Sequence, residues 1–155
     1  MPKVETGAKV PAFSLPATGG GSWRSKDVAG HILVIYFYPK DMTSGCTRES
    51  QDFRDLHAAF RKAGAQIVGI SRDSVASHEK FTTKESLPFT LLADEEEAVC
   101  KLFDVIREKS LYGRKYLGID RSTFLIDAKG VLRREWRKVK VPGHAEEVLE
   151  AAKSL

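Results

Sequence analysis

The feature that most constrains the fold is an unbroken apolar run from Ile32 to Tyr38, built of β-branched, aliphatic and aromatic residues. A strand with one solvated face alternates apolar and polar side chains, so a continuous run predicts a strand that is covered on both faces. Pro39 follows directly and ends the strand. A sheet packed between two layers of helices buries both faces of such a strand.

A helix and a second buried strand follow this run. The apolar side chains of the predicted helix recur at the i, i+3, i+4 and i+7 positions, which mark one face. They are Phe53, Leu56, His57 and Phe60. Gly64 ends this helix, and the residues from Gln66 to Ser71 are predicted to form the second strand. Strand, helix and strand with short connections indicate a parallel crossover.

The rest of the chain predicts shorter elements. They are a turn at Gly19–Gly21 between two short strands, a helix over 74–86, a strand over 91–93, a helix capped by Asp94 and Glu97 that runs through Phe103, a hairpin of 122–127 with 131–136, and a last helix opened by Pro142 with Val148, Leu149 and Ala152 on its buried side. The parallel crossover and the late antiparallel hairpin predict an α/β fold, a central mixed sheet flanked by helices. This order is compatible with a thioredoxin-like fold.

Length and composition narrow the class of protein. A chain of 155 residues is expected to form a single domain over 1–155, and hydrophobic and charged fractions of 42% and 30% are typical of globular proteins rather than disordered or disulfide-scaffold chains. The net charge of +4 is too weak to indicate nucleic-acid binding. No apolar run is long enough to span a membrane, and Met1–Gly7 has no apolar signal region, so we expect a cytoplasmic protein.

Cys46 lies after the buried strand, at the start of the long helix. The first turn of a helix offers unpaired N–H groups and a partial positive charge, and both favour a thiolate over a thiol. Gly45 leaves room for a small substrate to approach the backbone, and Thr43 puts a hydroxyl within one turn of the sulfur. The alternative is a buried core cysteine, but a residue of that kind would not explain why the preceding loop is rich in Gly, Ser and Thr. We therefore predict a reactive thiol.

Two motifs then resemble a known family. Pro39, Thr43 and Cys46 resemble the P-x-x-x-T-x-x-C active-site signature of peroxiredoxins. The longer string F-Y-P-K-D-M-T-S-G-C-T-R-E resembles the bacterioferritin comigratory protein branch, or Q type, and the segment from Arg121 to Ile126 resembles the branch's second motif, which carries the active-site arginine. The resemblance covers nearly the whole chain. Ser44 stands where the branch usually has proline, which lowers the rigidity of the loop and removes no catalytic group.

The resemblance implies a thiol-dependent peroxidase without cofactor or metal. In such an enzyme the Cys46 thiolate attacks one oxygen of the peroxide O–O bond and becomes a sulfenic acid, while water or an alcohol leaves. Arg121, the Thr43 hydroxyl and backbone N–H groups near Cys46 are the implied donors to the departing oxygen, and Pro39 shields the sulfur. Glu49 either holds Arg121 in place or is a solvated carboxylate on the helix face. If the first motif were absent, Arg121 would be interpreted as an ordinary salt-bridge partner.

The second half-reaction requires a thiol that attacks the sulfenic acid. Members of the branch carry a second cysteine either five residues after the first, where this chain has Gln51, or in the next helix, near Thr82. Cys100 is the remaining thiol, and a helical projection places it on the flank of an apolar face, so a resolving role is disfavoured. We expect a monomer with a one-cysteine cycle, in which an external thiol (thioredoxin, glutaredoxin or glutathione) restores the enzyme after it reduces hydrogen peroxide or an organic hydroperoxide.

The remaining motifs favour ordinary structural roles. The four histidines have no metal-ligand spacing with either cysteine, and no C-x-x-C or phosphate-binding glycine loop occurs. The basic stretch Arg133–Lys140 is interpreted as a solvated strand face, with an acidic partner or nucleic acid as the open alternative because Trp136 could stack on a base. A thioredoxin-fold binding or chaperone module without turnover is the second function considered, and NADPH consumption in a thiol-coupled peroxide assay separates it from the enzyme.

Overall fold

The computed structural model describes residues 4–155, so the first three residues of the Met1–Gly7 segment lie outside it. Nine strands occur in the described range: β1 (Ser14–Pro16), β2 (Ser22–Arg24), β3 (Ile32–Phe37), β4 (Ala65–Ser71), β5 (Thr90–Ala93), β6 (Ile106–Leu111), β7 (Arg114–Ile119), β8 (Ser122–Ile126) and β9 (Leu132–Trp136). The helices are α1 (Ser44–Asp55), α2 (His57–Lys62), α3 (Val75–Glu85), α4 (Ala98–Leu102) and α5 (His144–Lys153), and a 3-10 turn spans Ser25–Val28. None of these described helices has the length and apolarity that a membrane crossing requires.

Five strands form the central sheet in the order β5-β4-β3-β8-β9. Strands β3, β4 and β5 are parallel, whereas β8 runs antiparallel to β3 and β9 antiparallel to β8. The predicted α/β class, with a mixed central sheet flanked by helices, is confirmed. The parallel crossover, the late hairpin and the turn between β1 and β2 are confirmed with it.

The central strand β3 separates two apolar clusters, as its unbroken apolar sequence predicts. Leu33, Ile35 and Phe37 point into a cluster that includes side chains of α4. The alternate residues point to the other side of the sheet, into a cluster that includes side chains of α1, α2, α3 and α5. Burial of each large apolar side chain stabilises the fold by roughly 1.5–3 kcal/mol, so a polar residue anywhere in β3 is costly on either face.

Three predicted helices differ from those observed. The last helix begins at His144 with Gly143 as its N-cap, rather than at Pro142. The long helix after β3 is interrupted at Leu56, where φ −100° and ψ 2° separate α1 from α2. The helix predicted to begin at Asp94 begins only at Ala98, and the Asp94–Glu97 capping pair was wrong. Glu97 adopts a left-handed conformation (φ 66°), and the Asp94 carboxylate instead accepts a hydrogen bond from the Cys100 amide at 2.6 Å. The fold around the end of β5 therefore determines the conformation of Asp94 and Glu97, and the capping pattern of the local sequence does not.

The hairpin of β6 and β7 was not predicted from the sequence. It forms a two-stranded sheet of its own, outside the central sheet, and it ends immediately before Asp120 and Arg121. Its residues are mostly exposed and show no buried apolar alternation, so no periodic signal marks them as strands. Leu111, Tyr112 and Leu117 are exposed apolar side chains on it.

Candidate active site

Cys46 is the third residue of α1, and Thr43 is the N-cap of that helix. Strand β3 ends at Phe37, so the six residues of the intervening loop carry the chain from the sheet to the helix N-terminus. The Cys46 side chain is almost completely buried, and it packs in the same apolar cluster as Tyr36 and Phe53. The thiol therefore sits where helical N–H groups are unpaired and bulk water is largely excluded.

Arg121 reaches the thiol from a distant part of the sequence. Phe37 pairs with Ser122 across β3 and β8, which places Arg121 beside the loop that follows β3. Its Nη2 atom lies 3.4 Å from Cys46 Sγ, and its Nη1 atom donates to Glu49 Oε1 at 2.7 Å. The structure thus brings together the predicted thiol, arginine and glutamate, and the guanidinium contacts the thiol with one nitrogen and the glutamate with the other.

Glu49 lies one helical turn after Cys46 and is buried. Burial raises the pKa of its carboxyl to about 7, against the opposing effect of the Arg121 charge. Burial alone lowers the pKa of Arg121, but the charges of Glu49 and Cys46 outweigh it, and the pKa of Arg121 is raised. Glu49 is therefore a buried partner of Arg121 with a pKa near neutral pH, rather than the solvated carboxylate of the alternative interpretation.

The Thr43 hydroxyl donates to the Lys40 carbonyl at 2.7 Å. A hydroxyl carries a single hydrogen, so in this arrangement Thr43 has only lone pairs to offer a bound peroxide. It can accept the O–H of a hydroperoxide, which differs from the donor role implied by the resemblance. Pro39, half-buried, follows β3 at the start of the same loop.

Gly45 makes room for the arginine. A Cβ atom added at this position would lie 3.2 Å from Arg121 Nη2, closer than ordinary van der Waals contact. Arg121 thus occupies space beside Gly45, and the sequence-based interpretation that Gly45 also admits a small substrate stays a prediction. The absence of a side chain here is what lets the guanidinium lie over the first turn of α1.

A buried polar network, not predicted from the sequence, anchors the loop. Asp41 Oδ1 accepts from the Tyr38 hydroxyl at 2.6 Å, and Asp41 Oδ2 accepts from the Ser77 hydroxyl at 2.8 Å and lies 2.7 Å from His78 Nδ1. His78 Nε2 donates to the Leu92 carbonyl at 2.9 Å. Since Asp41 belongs to the loop and His78 to α3, the network holds the loop against α3 and β5.

The same network explains a cluster of possible metal ligands. One ligand atom from each of Asp41, Asp73 and His78 lies within 4.8 Å of the others. These atoms are already engaged, because Asp73 Oδ2 accepts from the Asp41 amide at 2.9 Å and from the Ser71 hydroxyl at 2.6 Å. Hydrogen bonds among the three groups account for their proximity.

Lys109, on β6, is a second cation near the thiol that sequence reasoning missed. Its amine donates to the Ile119 carbonyl, and its aliphatic stem crosses Gly118, where an added Cβ would lie 3.3 Å from Lys109 Cδ. Burial lowers the pKa of Lys109, and the charges of Asp120, Arg121 and Cys46 also act on it. No local motif marks this residue, because its position depends on the β6–β7 hairpin.

A model of the AhpC/TSA family matches residues 6–135. The chain belongs to this family. Peroxiredoxin Bcp of Xanthomonas campestris is 54% identical to it over 144 residues, which cover 92% of this chain and 90% of that protein. Peroxiredoxin Bcp of Bacillus subtilis is 47% identical over 152 residues, covering 98% and 97%. A solved structure of the Xanthomonas campestris bacterioferritin comigratory protein, described by its alkyl peroxide reduction activity, matches with a TM-score of 0.87 at 52% identity, covering 92% and 90%.

These similarities confirm the predicted resemblance. The chain is a peroxiredoxin with a thioredoxin-like fold, and hence a thiol-dependent peroxidase: an oxidoreductase that takes a peroxide as substrate and a thiol as reductant. The first motif of this peroxiredoxin lies in the loop and first turn of α1, and the second begins at Arg121 and continues along β8.

The second thiol of this peroxiredoxin lies on the other face of the central sheet from the first. Cys100 is completely buried in the cluster that contains α4, whereas Cys46 belongs to the cluster on the other face of the sheet. The predicted flank position was therefore wrong, because the short α4 packs Cys100 inward against the sheet. Burial and the neighbouring Asp94 carboxylate raise the pKa of Cys100 strongly.

The two positions at which the resemblance implies a resolving cysteine lie on α1, at Gln51, and on α3, at Thr82. Gln51 Nε2 donates to Glu85 Oε1 at 2.8 Å, and Arg54 Nη1 donates to the Glu85 carbonyl at 2.8 Å. Thr82, on α3, has a buried hydroxyl with no hydrogen-bond partner among the described residues. In this peroxiredoxin neither position carries a thiol, and the contacts of Gln51 and Arg54 with Glu85 tie the two helices together.

Proposed function

We propose that this peroxiredoxin reduces hydrogen peroxide and organic hydroperoxides by a one-cysteine cycle. The observation that carries the proposal is the separation of Cys46 and Cys100 onto opposite faces of the central sheet. A disulfide requires Cα atoms within roughly 7 Å, so a bond between these residues needs part of the sheet or α4 to open. The cycle therefore uses Cys46 alone and takes its reducing thiol from outside.

The first half-reaction follows from the contacts of Cys46. The thiolate attacks the terminal oxygen of the hydroperoxide, the S–O bond forms as the O–O bond breaks, and the products are a Cys46 sulfenic acid and an alkoxide or hydroxide that takes up a proton. Arg121 Nη2, 3.4 Å from Sγ, donates to the oxygens that pass beside the sulfur, where negative charge develops. The Thr43 oxygen accepts the hydroperoxide O–H and orients it.

The supporting groups hold this arrangement before substrate arrives. Glu49 fixes the far end of the Arg121 guanidinium, and Gly45 leaves the space in which the guanidinium lies. Pro39 begins the loop, and the Asp41 network keeps that loop against α3. Fixed donors cost no reorganisation at the moment of reaction, which is the main source of catalysis in such sites.

The proposed range of substrates includes organic hydroperoxides. The Xanthomonas campestris relative is described by its alkyl peroxide reduction activity. In this chain Met42, in the active-site loop, is exposed and apolar, and it offers a surface for an alkyl group beside the helix N-terminus that carries Cys46.

Intact mass measurement after one equivalent of peroxide tests the cycle. The wild-type protein and Cys100→Ser are both expected to gain one oxygen, which a sulfenic-acid trap captures, and both are expected to turn over at similar rates with an external thiol. Cys46→Ser is expected to fold and to show no turnover, because a hydroxyl is a poor nucleophile near neutral pH. Loss of two hydrogens by the wild-type protein, together with severe slowing of Cys100→Ser, would show that Cys100 resolves the sulfenic acid.

A further inference from the structure

The basic stretch Arg133–Lys140 is not used by the peroxide reaction. In the structure its arginines are engaged: Arg133 pairs with Asp127 at 3.3 Å, Arg134 lies over the Trp136 ring at 4.6 Å, and Arg137 binds Glu135 at 2.8 Å. Arg137 also donates to the carbonyls of residues 103 and 104. Lys138 and Lys140 form no ion pair or side-chain hydrogen bond within residues 4–155, and both are exposed.

These two lysines line a cavity of about 370 Å³ between the end of β9 and the start of α5. The cavity is also lined by Trp136, Val139, His144 and Glu147. A pocket of this volume lies within the range of sites that bind small molecules.

The cavity lies at the active-site end of the sheet. Thr123 pairs with Trp136 across β8 and β9, one residue along from the Phe37–Ser122 pair that positions Arg121. The Val139 amide donates to the Arg121 carbonyl at 3.0 Å, so one wall of the cavity is bonded to the residue whose guanidinium contacts Cys46. Strand β9 is two strands away from β3, a lateral separation of roughly 10 Å.

The charge in the cavity is positive. Burial lowers the pKa of His144 to about 4, so this histidine is neutral, and its Nε2 lies 2.8 Å from the Thr123 hydroxyl. The Glu147 carboxylate accepts a hydrogen bond from Trp136 Nε1. This contact with a neutral indole leaves the Glu147 carboxylate its formal charge, and the two ammonium groups of Lys138 and Lys140 outweigh it, so the net charge is positive. The Trp136 ring provides an apolar wall beside the lysines.

We propose that this cavity binds the reductant of the second half-reaction, and that the reductant is a small thiol that carries carboxylates, about the size of a tripeptide. The proposal rests on the one-cysteine cycle of the preceding section. Carboxylates of the thiol pair with Lys138 and Lys140, which leaves its sulfur directed along the Arg121 segment towards Cys46.

The chemistry balances with this thiol as the only reductant. Its thiolate attacks the Cys46 sulfenic sulfur, the S–O bond breaks, and hydroxide leaves as water after taking up a proton, so that a mixed disulfide remains. A second molecule of the thiol attacks that disulfide, releases the Cys46 thiolate and forms the symmetrical disulfide of the reductant. One peroxide is reduced for every two thiols oxidised.

The test compares two double variants with glutathione as the probe. Lys138→Gln/Lys140→Gln is expected to raise KM for glutathione about tenfold with little change in kcat, because two exposed ion pairs are lost from binding alone. The matched control, Lys80→Gln/Lys84→Gln, removes two exposed positive charges from α3 and is expected to leave KM unchanged. The rate at which hydrogen peroxide oxidises Cys46 in a single turnover is expected to be equal in all three proteins.

A series of thiols gives the second readout. The wild-type protein is expected to favour glutathione over uncharged 2-mercaptoethanol and over cationic cysteamine, and the cavity variant is expected to lose that preference. Equal KM values in both double variants, or a wild-type enzyme that a dithiol protein reduces and glutathione does not, would overturn this inference while the one-cysteine cycle stands. Loss of two hydrogens on peroxide treatment would instead contradict the cycle itself, and with it the inference.

Discussion

Arg121 and Cys46 are joined by one nitrogen of the guanidinium, Nη2, which lies 3.4 Å from the sulfur, while the other nitrogen is held by Glu49 at 2.7 Å. Glu49 on α1 therefore holds one side of the guanidinium, and the other side faces the thiol and its substrate. Because both contacts depend on the planar, forked guanidinium group, another cationic side chain could not make them together.

Arg121→Lys tests this geometry. The ammonium group keeps the charge but cannot bind Glu49 and face Cys46 at the same time, so the second-order rate of Cys46 oxidation by peroxide is expected to fall about 10–100-fold. Stopped-flow measurement of sulfenic-acid formation gives the rate, and thermal unfolding checks that the fold persists. An unchanged rate in a folded variant would mean that Arg121 has a structural role only.

Gly45→Ala separates activity from stability. The added methyl group would lie 3.2 Å from Arg121 Nη2 and push the guanidinium aside, so the peroxide rate is expected to fall about tenfold. Alanine is the better helix former by about 0.5–1 kcal/mol, so the free energy of unfolding is expected to stay equal or rise. Ser44→Ala, one residue earlier and exposed, is the matched control and should retain the peroxide rate. A variant of Gly45 with full activity would contradict the packing argument.

Glu49 is expected to make stability depend on pH. Its pKa is raised from an ordinary value of 4.5 to about 7, so between these values the folded state binds more protons than the unfolded state, and the free energy of unfolding falls as pH rises. The contribution is fully present below pH 4.5 and is lost as pH rises through about 7; it amounts to about 3 kcal/mol at most.

Urea unfolding at pH 5 and pH 8 measures this effect. Glu49→Gln keeps an oxygen acceptor for Arg121 and removes the titration, so its stability is expected to decline less over this interval than that of the wild-type protein. Identical pH profiles in the two proteins would show that Glu49 does not change its protonation on folding.

Lys109 is expected to contribute to the reaction with peroxide through its charge. Lys109→Met keeps the stem that crosses Gly118 and removes the ammonium group, and the peroxide rate is expected to fall about fivefold at low ionic strength and less at high ionic strength. Lys115, on the same hairpin, pairs with Glu108 at 3.6 Å, and Lys115→Met is the matched control. If both variants lose the same activity, the hairpin and not the Lys109 charge is responsible.

The sequence by itself determined the elements whose signals are local. The apolar run of β3 predicted burial on both faces, and Cys46, three residues into a helix after that strand, predicted a thiol at a helix N-terminus. Gly64, Gly130 and the strand patterns around them predicted the turns correctly. These signals are strong because periodicity and turn chemistry act between residues that are close along the chain.

Only the tertiary structure decided which distant residues meet. Cys46 and Arg121 are in contact because β8 pairs with β3 in one register, and a shift of one residue would move every side chain of β8 to the other face. Cys46 and Cys100 lie on opposite faces of the sheet because α1 and α4 pack on opposite sides of it, and this packing of α4 buries Cys100. Such relationships depend on strand register and packing between segments far apart in sequence, and no pattern within either segment carries them.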